Sequence, residues 1–395
     1  MIPGRRGVIL IVLLMTVTFI HAQDSVSAGT KAVKPAKKHV SMKDSLDMAF
    51  DLSNYIIESN GFVPIPDIIT EPSLGGFGGA LIPVFIKKRR PYVDSIHGKR
   101  VFTPIPPDIT GGGGAYTANN TWMLAAFRGG TWVKPRIRYR IGGAYANVNM
   151  SFYHTFPHIG EKKFDFNFKA VPIFLQATKR IAYSKWYIGL KYLFMKTDLH
   201  YSDSLPSFVH PKDVNSITSQ LGGLVELDTR DNVFTPNDGV KLHFDGLCSN
   251  QILGSDYDYW QLDYYMFAYK SLWKKLTLGL RVDGQQALGD VPFYLLPFIN
   301  MRGVPANRYQ GKATILTELE TRWDFVQRWS GVFFGGTGKG FDDWADFGSA
   351  KWVVSYGAGF RYLLARKFGL RMGIDVAHST GTWAYYIIFG SNWQR

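Results

Sequence analysis

Two short stretches of the sequence concentrate charged side chains where they could pair with one another. The first, residues 298–311, carries two arginines, among them Arg302, between turn-forming and apolar residues. A guanidinium offers five N–H donors in a rigid plane, which suits fixed carboxylate acceptors in a polar interior. Residues 313–325 follow as a predicted strand with acids on one face, among them Glu320. The pattern predicts a loop folded back into the protein, with Gly303 allowing a tight bend and Arg302 reaching a carboxylate.

The second stretch is Asp228-Thr-Arg230-Asp231-Asn232, where a predicted strand ends in charged residues. The chain then turns through Pro-Asn-Asp-Gly, ending at Gly239, and continues as another strand. Asp-Gly is a frequent hairpin turn, and aspartate side chains often accept hydrogen bonds from nearby backbone N–H groups. The stretch is therefore either a structural hairpin capped by its aspartates or a motif with a functional role.

No combination of residues has the spacing of a catalytic or metal-binding site. Of the 9 histidines, His154 and His158 have His-x-x-x-His spacing, but no histidine lies in a cluster with cysteine, since Cys248 is the single cysteine. Structural and catalytic zinc sites need three or four such ligands close together. The glycine run at residues 111–114 lacks the Lys-Ser/Thr that completes a phosphate-binding loop. The sequence predicts no catalytic residue, no metal and no cofactor, and the protein is not expected to be an enzyme.

The composition is that of a β-rich protein. Of 395 residues, 15% are aromatic and only 19% are charged, and there are 41 glycines and 21 tyrosines. Aromatic residues favour strands, whereas long helices are rich in Ala, Glu and Lys. The net charge of +14 would suit nucleic acid or anionic lipid as a partner. Because the arginines alternate with apolar residues instead of clustering, no nucleic-acid partner is expected.

The N-terminal part predicts an exported protein. Residues 1–22 have two arginines, an apolar run of about thirteen residues and a small residue at the end, as in a secretory signal peptide. That run is too short for a membrane span of roughly twenty residues. Residues 23–61 are predicted to be a basic linker and a short helix from Ser41 to about Glu58, with Asp44 in capping-box position. The helix either rests on the following domain or acts as a plug or membrane-surface helix.

From residue 62 onward, apolar residues alternate with polar residues, charges and glycines. In residues 351–364, aromatic and aliphatic residues occupy one face, while Lys, Ser, Gly and Arg occupy the other. Long strands of this kind are typical of membrane barrels with a polar lumen. A soluble sandwich would have shorter strands and keep most glycines in turns. Residues 62–395 are therefore predicted to form an all-β, transmembrane antiparallel β-barrel of about sixteen strands.

The two charged stretches together resemble the BamA/TamA superfamily of outer-membrane β-barrels, the bacterial surface antigen type. Arg302 and Gly303 match the family's lumen loop, Glu320 matches the acid of the next strand, and the hairpin stretch matches a turn between two middle strands. The resemblance implies that Arg302 is held inside the barrel against Glu320. The sequence departs from the family at Val304, where an aromatic residue is usual, and at Gly336, where a second acid is usual.

The resemblance covers residues 62–393 and includes no counterpart of the family's periplasmic domains, which implies a barrel-only branch. The implied function is to assist protein insertion into, or translocation across, the outer membrane of a Gram-negative-type bacterium. Implied partners are outer-membrane lipid, client outer-membrane proteins and a periplasmic partner protein. A different interpretation is a passive pore or a structural surface antigen. Such a pore would favour anions, because five arginines are predicted to point inward: Arg138, Arg140, Arg281, Arg361 and Arg371.

Overall fold

The computed structural model describes residues 41–58, 62–69, 77–87, 89, 92–96, 99–103, 108–133, 135–156, 158, 160–182, 184–202 and 204–393. The predicted signal peptide and the linker up to residue 40 lie outside the described residues. The helix is α1 (Ser53–Glu58), and the strands are β1 (Phe62–Ile69), β2 (Gly78–Lys87), β3 (Tyr92–Ile96), β4 (Lys99–Thr103), β5 (Asp108–Thr117), β6 (Trp122–Trp132), β7 (Ile137–Phe156), β8 (Gly160–Arg180), β9 (Trp186–His200), β10 (Asn215–Asp228), β11 (Gly239–Ser249), β12 (Tyr259–Trp273), β13 (Leu276–Gly289), β14 (Ala313–Trp323), β15 (Trp329–Phe341), β16 (Val353–Ala365), β17 (Leu370–Ser379) and β18 (Thr382–Phe389). Short 3-10 helices lie in the connections, at Pro211–Asp213, Gln251–Leu253, Phe293–Leu295, Trp344–Phe347 and Arg366–Phe368.

Sixteen of these strands form one antiparallel sheet, in which each strand pairs with its neighbours along the chain. The remaining two, β3 and β4, form a separate hairpin in the connection between β2 and β5. The first and last strands, β1 and β18, lie beside each other, which closes the sheet into a barrel. The predicted all-β membrane barrel of about sixteen strands is confirmed, while the β3–β4 hairpin was missed.

The sequence forms a barrel because its apolar residues face outward. In β16, Val354 and Tyr356 are 53% and 56% exposed, whereas Ser355 and Arg361 on the other face are buried. In water this arrangement would expose apolar side chains to solvent. In a bilayer, the outward apolar residues contact lipid and the polar residues line the lumen. No helix in the described part of the chain is long and apolar enough to span a membrane.

Because neighbouring strands are antiparallel, successive connections lie at opposite ends of the barrel. The loop end carries the connection 290–312 between β13 and β14, and the turn end carries residues 41–58 together with the short turns 324–328 and 366–369. The long β2–β5 connection lies at the turn end, and the tight turn at Asn119 lies at the loop end.

The helix predicted for residues 41–58 was mostly wrong, since only α1 is helical. Upstream of it, Lys43 and Phe50 form an antiparallel bridge that closes a small loop. Asp44 accepts a hydrogen bond from the backbone N–H of Leu46, instead of forming a capping box. Aspartate side chains that bond to the backbone two residues ahead stabilise turns in competition with a helix. The short N-terminal helix itself is confirmed.

Heat-modifiable migration is the first expected property of this barrel. A closed sheet of sixteen strands should resist sodium dodecyl sulfate at room temperature and unfold on boiling, because its strands have few free edges. The unheated protein should therefore migrate differently from the boiled protein, and its circular dichroism spectrum should be dominated by strand. Identical migration of the two samples, or a helical spectrum, would contradict the fold.

Candidate functional site: a buried arginine network inside the barrel

The connection between β13 and β14 folds back into the barrel. Phe298 and Gln310 form an isolated antiparallel bridge that closes its base. Between them, Ile299, Met301 and Val304 are buried together and pack against residues of β14 and β16. An apolar loop core of this kind explains why the connection does not extend into solvent, because burial removes its side chains from water. The loop therefore fills part of the lumen.

Arg302 lies at the centre of the lumen and is 1% exposed. Its Nη1 donates a hydrogen bond to Oδ2 of Asp375 at 2.9 Å and lies 2.8 Å from Oε2 of Glu320. Its Nε lies 3.5 Å from Oε1 of Glu318. The contact with Glu320 is ionic and lacks hydrogen-bond alignment. The guanidinium also stacks over Phe334, with Cζ 3.5 Å from the ring centre, so charge pairing and cation–π contact act on the same group.

Two further arginines complete the group. Arg361 contacts both carboxylate oxygens of Asp375, at 2.5 and 2.9 Å. Arg281 bridges Glu318 at 2.6 Å and Asp283 at 2.6 Å. The arginine network is defined here as three cations and four acids: Arg281, Arg302, Arg361, Asp283, Glu318, Glu320 and Asp375. Since the acids outnumber the cations, loss of any one arginine leaves a buried acid without compensation.

Gly303 joins the loop to the last strands of the barrel. Its φ of +81° lies in the left-handed region, which glycine adopts without strain. Its N–H donates to the hydroxyl of Tyr386 on β18 at 2.9 Å. A Cβ at this position would lie 3.2 Å from the Cβ of Ala377 and from the backbone of His378. The Ser355 hydroxyl donates to the carbonyl oxygen of Arg302, so the loop is held by β16, β17 and β18 together.

Sequence reasoning found Arg302 and Glu320 but missed Asp375 and Glu318 as partners of Arg302. Asp375 alternates with apolar residues on β17, so its inward direction was readable, but its approach to Arg302 depends on loop path and strand register. The departure at Gly336 has a physical reason. A Cβ there would lie 2.6 Å from Cγ of Glu318 and 3.0 Å from Sδ of Met301. The glycine therefore makes room for the loop.

The hairpin stretch forms a turn that covers the turn end of the lumen. Arg230 donates to Asp228 through Nε and Nη2, at 2.9 and 2.7 Å. Asp231 accepts backbone N–H bonds from residues 237 and 238, and Gly239 has a φ of +111°. The Asn232 amide donates to the carbonyl of Phe368, in the β16–β17 turn, at 2.9 Å. The aspartates therefore cap the turn, as the structural interpretation expects, and Asn232 fixes the turn across the barrel.

The C-terminal tail after β18 turns into the lumen. The N–H of Ser391 donates to the carbonyl of Phe234 at 2.6 Å, and its hydroxyl lies 3.1 Å from that of Tyr269. Trp393 is 2% exposed, and its indole N–H donates to Oε2 of Glu318 at 3.2 Å. The tail thus connects β18 to the arginine network. Sequence reasoning missed this contact, since a terminal tryptophan on a barrel is ordinarily assigned to the membrane interface.

An aromatic cluster closes the loop end of the barrel. It combines side chains of the extended β7–β8 hairpin with residues of the 201–214 and 290–296 connections. Its rings lie 4.7 to 6.4 Å apart in edge and tilted contacts, arrangements that aromatic quadrupoles favour. The members are Phe152, Phe166, Phe168, Tyr201, Phe208, Phe293 and Tyr294. Together with the inserted loop, the cluster leaves little room for an open channel.

A second polar cluster lines the lumen on β9, β10 and β11. His243 lies 3.3 Å from Glu226 and 3.0 Å from Asp245, and stacks on Tyr265. Lys191 pairs with Asp245 at 2.8 Å. Acids and cations alternate here, so the cluster balances its own charge. Within the described residues, no group of His, Cys, Asp and Glu side chains is arranged to hold a metal ion.

Residues 41–52 are clamped to the turn end by aspartates. Arg328, in the β14–β15 turn, lies 2.7 Å from Asp44, 2.5 Å from Asp47 and 2.9 Å from Asp51. Arg366, in the β16–β17 turn, donates to both oxygens of Asp44. We call these five residues the acidic clamp. They tie the segment preceding β1 to turns near the other end of the sheet.

The acidic clamp lowers the pKa of its own carboxyl groups. Hydrogen bonding to Arg366 holds the pKa of Asp44 well below its usual range, and Arg328 lowers that of Asp47. Burial would raise the pKa of Asp51, but hydrogen bonds from neighbouring hydroxyl, amide and guanidinium groups lower it overall. A depressed pKa contributes stability that is present above the unfolded value, about 3.9, and is lost as the pH falls through the folded value.

The clamp is therefore expected to stay closed from neutral pH to about pH 4 and to open below it. A fluorophore on Ser45→Cys, with Cys248 replaced by serine, should keep a high anisotropy over the upper range and lose it in more acidic solution. With Arg328→Gln the anisotropy should already be low at neutral pH, because three carboxylates lose their shared partner. A fall between pH 7 and pH 5 in the otherwise unaltered protein would contradict the clamp.

Comparison with known proteins identifies the fold. No protein-family model matches the sequence, and no curated protein sequence matches it. Among solved structures, BamA from Haemophilus ducreyi lacking POTRA domains 1-3 is similar at a TM-score of 0.53 and 12% identity, over 84% of this chain and 70% of that one. CdiB from Escherichia coli gives 0.56 at 8% identity, over 82% and 62%. CdiB from Acinetobacter baumannii gives 0.51 at 12% identity, over 84% and 59%. The chain has the transmembrane β-barrel fold of BamA and CdiB.

Proposed function

We propose that this barrel assists the insertion of proteins into the outer membrane, or their translocation across it, through the seam between β1 and β18. The observation that carries the proposal is the pairing between the first and last strands of the sheet. Every other neighbouring pair of the large sheet shares a hydrogen-bonded ladder, whereas β1 and β18 lie side by side without one in the described part of the chain. A strand edge that is not fully paired is a template for a client strand.

Prolines explain why the seam is weak on the β1 side. Pro64 lies directly opposite Pro83 of β2. In an antiparallel pair, opposite residues either exchange two hydrogen bonds or point both N–H groups away from each other. Since proline has no N–H, the second arrangement loses no bond between β1 and β2. In this arrangement the backbone nitrogens of Pro64 and Pro66 face β18. The edge of β1 toward β18 therefore lacks two N–H donors near its middle.

The ladder between β2 and β5 supports this orientation of the prolines. The register runs from Leu81 opposite Gly114 to Val84 opposite Gly111, and skips the positions beside Pro83. A proline that points toward β5 removes a bond from that ladder. By contrast, the glycines at the start of β2 do not lie at the seam. Gly78 and Gly79 lie opposite Ile69 and Ile68 of β1, and residues 75 and 76 lie outside the described residues.

The lengths of β1 and β18 also indicate a weak seam. The two seam strands have 8 residues each, while β7 and β8 on another part of the wall have 20 and 21. Each ladder bond contributes about 0.5–1.5 kcal/mol net, so a short and donor-poor edge separates far more readily than a long one. We assign Arg302, Gly303 and Glu320 the role of holding β16 to β18 in place while that edge opens.

Client contact at the seam is the direct test. A photo-activatable amino acid at Phe62 or Ile68 on β1, and at Trp383 or Tyr385 on β18, should form adducts with newly exported polypeptides in living cells. All four side chains are exposed to the outside of the barrel. Leu190 on β9 serves as the control, because it is equally lipid-facing but far from the seam along the sheet. Adducts at Leu190 equal to those at the seam, or none at the seam, would overturn the proposal.

The passive pore is the second interpretation, and the geometry gives it less support. Three of the five arginines expected to favour anions lie beside acids. Arg281 and Arg361 belong to the arginine network, and Arg371 lies 3.4 Å from Asp324. The inserted loop and the aromatic cluster occupy the lumen. Partners consistent with the proposed function are outer-membrane lipid, client strands and a periplasmic protein that delivers them.

A further inference from the structure

The segment ahead of β1 presents an apolar surface outside the barrel. We define the strap as residues 42–50. Four of its side chains point away from the protein, and their exposed fractions are 45% for Met42, 73% for Leu46, 66% for Met48 and 49% for Phe50. A nine-residue loop in water rarely exposes four large apolar side chains, because that surface would be more stable when covered. The strap therefore has the surface of a segment that contacts something apolar.

The charges of the strap are arranged on the opposite side. Asp44 and Asp47 turn toward Arg328, and their side chains are 5% and 12% exposed. Lys43 is exposed. The outward side thus combines apolar side chains with one cation and keeps its carboxylates away. This distribution suits a phospholipid surface, where apolar groups enter the acyl boundary and a lysine reaches the phosphates.

The strap lies against the lipid-facing wall of the barrel. The hydroxyl of Tyr362, a β16 residue on the outward face, donates to the carbonyl of Phe50 at 2.8 Å. The ring of Tyr362 contacts Trp329, whose centre lies 5.0 Å away. Trp323 and Phe325 continue this aromatic row at the turn end, and both are exposed outward. Aromatic girdles mark the level of the membrane interface on barrels, so the apolar side of the strap is continuous with a surface that already faces lipid.

The conformation of Met48, at the tip of the strap, also indicates contact with an apolar surface. Met48 has a φ of +57°, a left-handed conformation that favours glycine or asparagine. An exposed turn in water would be more stable with one of those residues. A methionine held in this conformation, with its side chain directed outward, indicates that its apolar contact offsets the backbone strain.

We propose that the strap docks on the membrane leaflet that meets the turn end, with Leu46 and Met48 at the acyl boundary and Lys43 among the headgroups. The acidic clamp holds the strap at the height of the aromatic girdle. The partner is phospholipid and not another protein, because the apolar side chains continue the lipid-facing girdle. This docking depends on the barrel lying in a bilayer and is independent of the insertion proposed above.

Site-specific fluorescence in liposomes tests this docking. With Cys248 replaced by serine, an environment-sensitive dye is placed on Leu46→Cys or Met48→Cys in protein reconstituted alone in phosphatidylcholine/phosphatidylglycerol vesicles. Ser349→Cys, in the exposed β15–β16 connection at the loop end, is the matched control. We expect spin-labelled lipids to quench the strap dyes several-fold more than the control dye, and aqueous iodide to quench mainly the control.

A second variant separates docking from an accidental insertion of the dye. Arg328→Gln opens the clamp, so lipid quenching at residue 46 should fall toward the level of the control while heat-modifiable migration remains. Strap dyes quenched by iodide as strongly as the control dye would overturn the proposal and point to a protein partner absent from the vesicles. Unchanged lipid quenching in Arg328→Gln would show that the dye, and not the clamped strap, seeks the bilayer.

Discussion

Replacing Arg302 with alanine is expected to cost the barrel about 3–5 kcal/mol of unfolding free energy, since it removes one partner from a buried charge group. Arg302 contacts Glu318, Glu320 and Asp375 and is 1% exposed. Without it, two arginines face four acids in a lumen that provides little solvent. The midpoint of urea unfolding in detergent, followed by the migration of unheated samples, measures the loss.

The partners of Arg302 should not be equivalent. Glu320→Gln alone should cost less than Arg302→Ala, because Arg302 keeps Glu318 and Asp375. Combined with Arg302→Ala, it should recover part of the lost stability, since one uncompensated acid is removed. The double variant is therefore expected to be less than additive. Additive losses would show that Arg302 and Glu320 do not interact energetically.

Two control variants test whether the planar guanidinium of Arg302 and its buried position account for the loss. Arg302→Lys keeps the charge but not the planar group that spans several carboxylates and stacks on Phe334, so it should rescue only part of the loss. Arg308→Ala lies on the same loop and removes a solvent-exposed pair with Glu161 at 3.1 Å. Exposed pairs contribute about 0–1 kcal/mol, so this variant should stay close to the unaltered protein. Equal losses for the two alanine variants would contradict the central role of Arg302.

Deleting residues 300–311 is expected to give the largest change in permeability. In the intact protein, the loop core of Ile299, Met301 and Val304 fills the lumen, so conductance in planar bilayers should be small and flickering. Removing the loop and joining its ends with a short flexible linker should enlarge the conductance severalfold. The aromatic cluster at the loop end remains, so the channel should stay narrower than an open sixteen-stranded pore.

A shorter deletion at the loop end provides the comparison. Residues 343–349 lie in the β15–β16 connection at the same end, and most are exposed. Removing them leaves the lumen filled, so conductance should not change. A large, steady, anion-selective conductance in the intact protein would instead favour the passive pore. Anion preference should be weak in both variants, since Arg281 and Arg361 of the arginine network are paired with carboxylates.

The sequence by itself determined the wall of the barrel. Strand alternation is a local property, because successive side chains point to opposite faces whatever the neighbouring strands are. The alternation expected from residue 62 onward and the strand expected at residues 313–325 begin where β1 and β14 begin. The pairing of Arg302 with Glu320 was also predicted, but from a resemblance of motifs and not from the physics of the residues.

Only the tertiary structure decided which residues meet in the lumen. Asp375 and Trp393 reach the arginine network from β17 and the C-terminal tail, about seventy to ninety positions from Arg302 along the chain. Closing the sheet brings these strands together, and strand register sets which inward side chains share one level. The clamp of Asp44 on Arg328 has the same origin, because charges 284 positions apart pair once the ends of the sheet meet. No local pattern encodes such contacts, so they could not be predicted from the sequence.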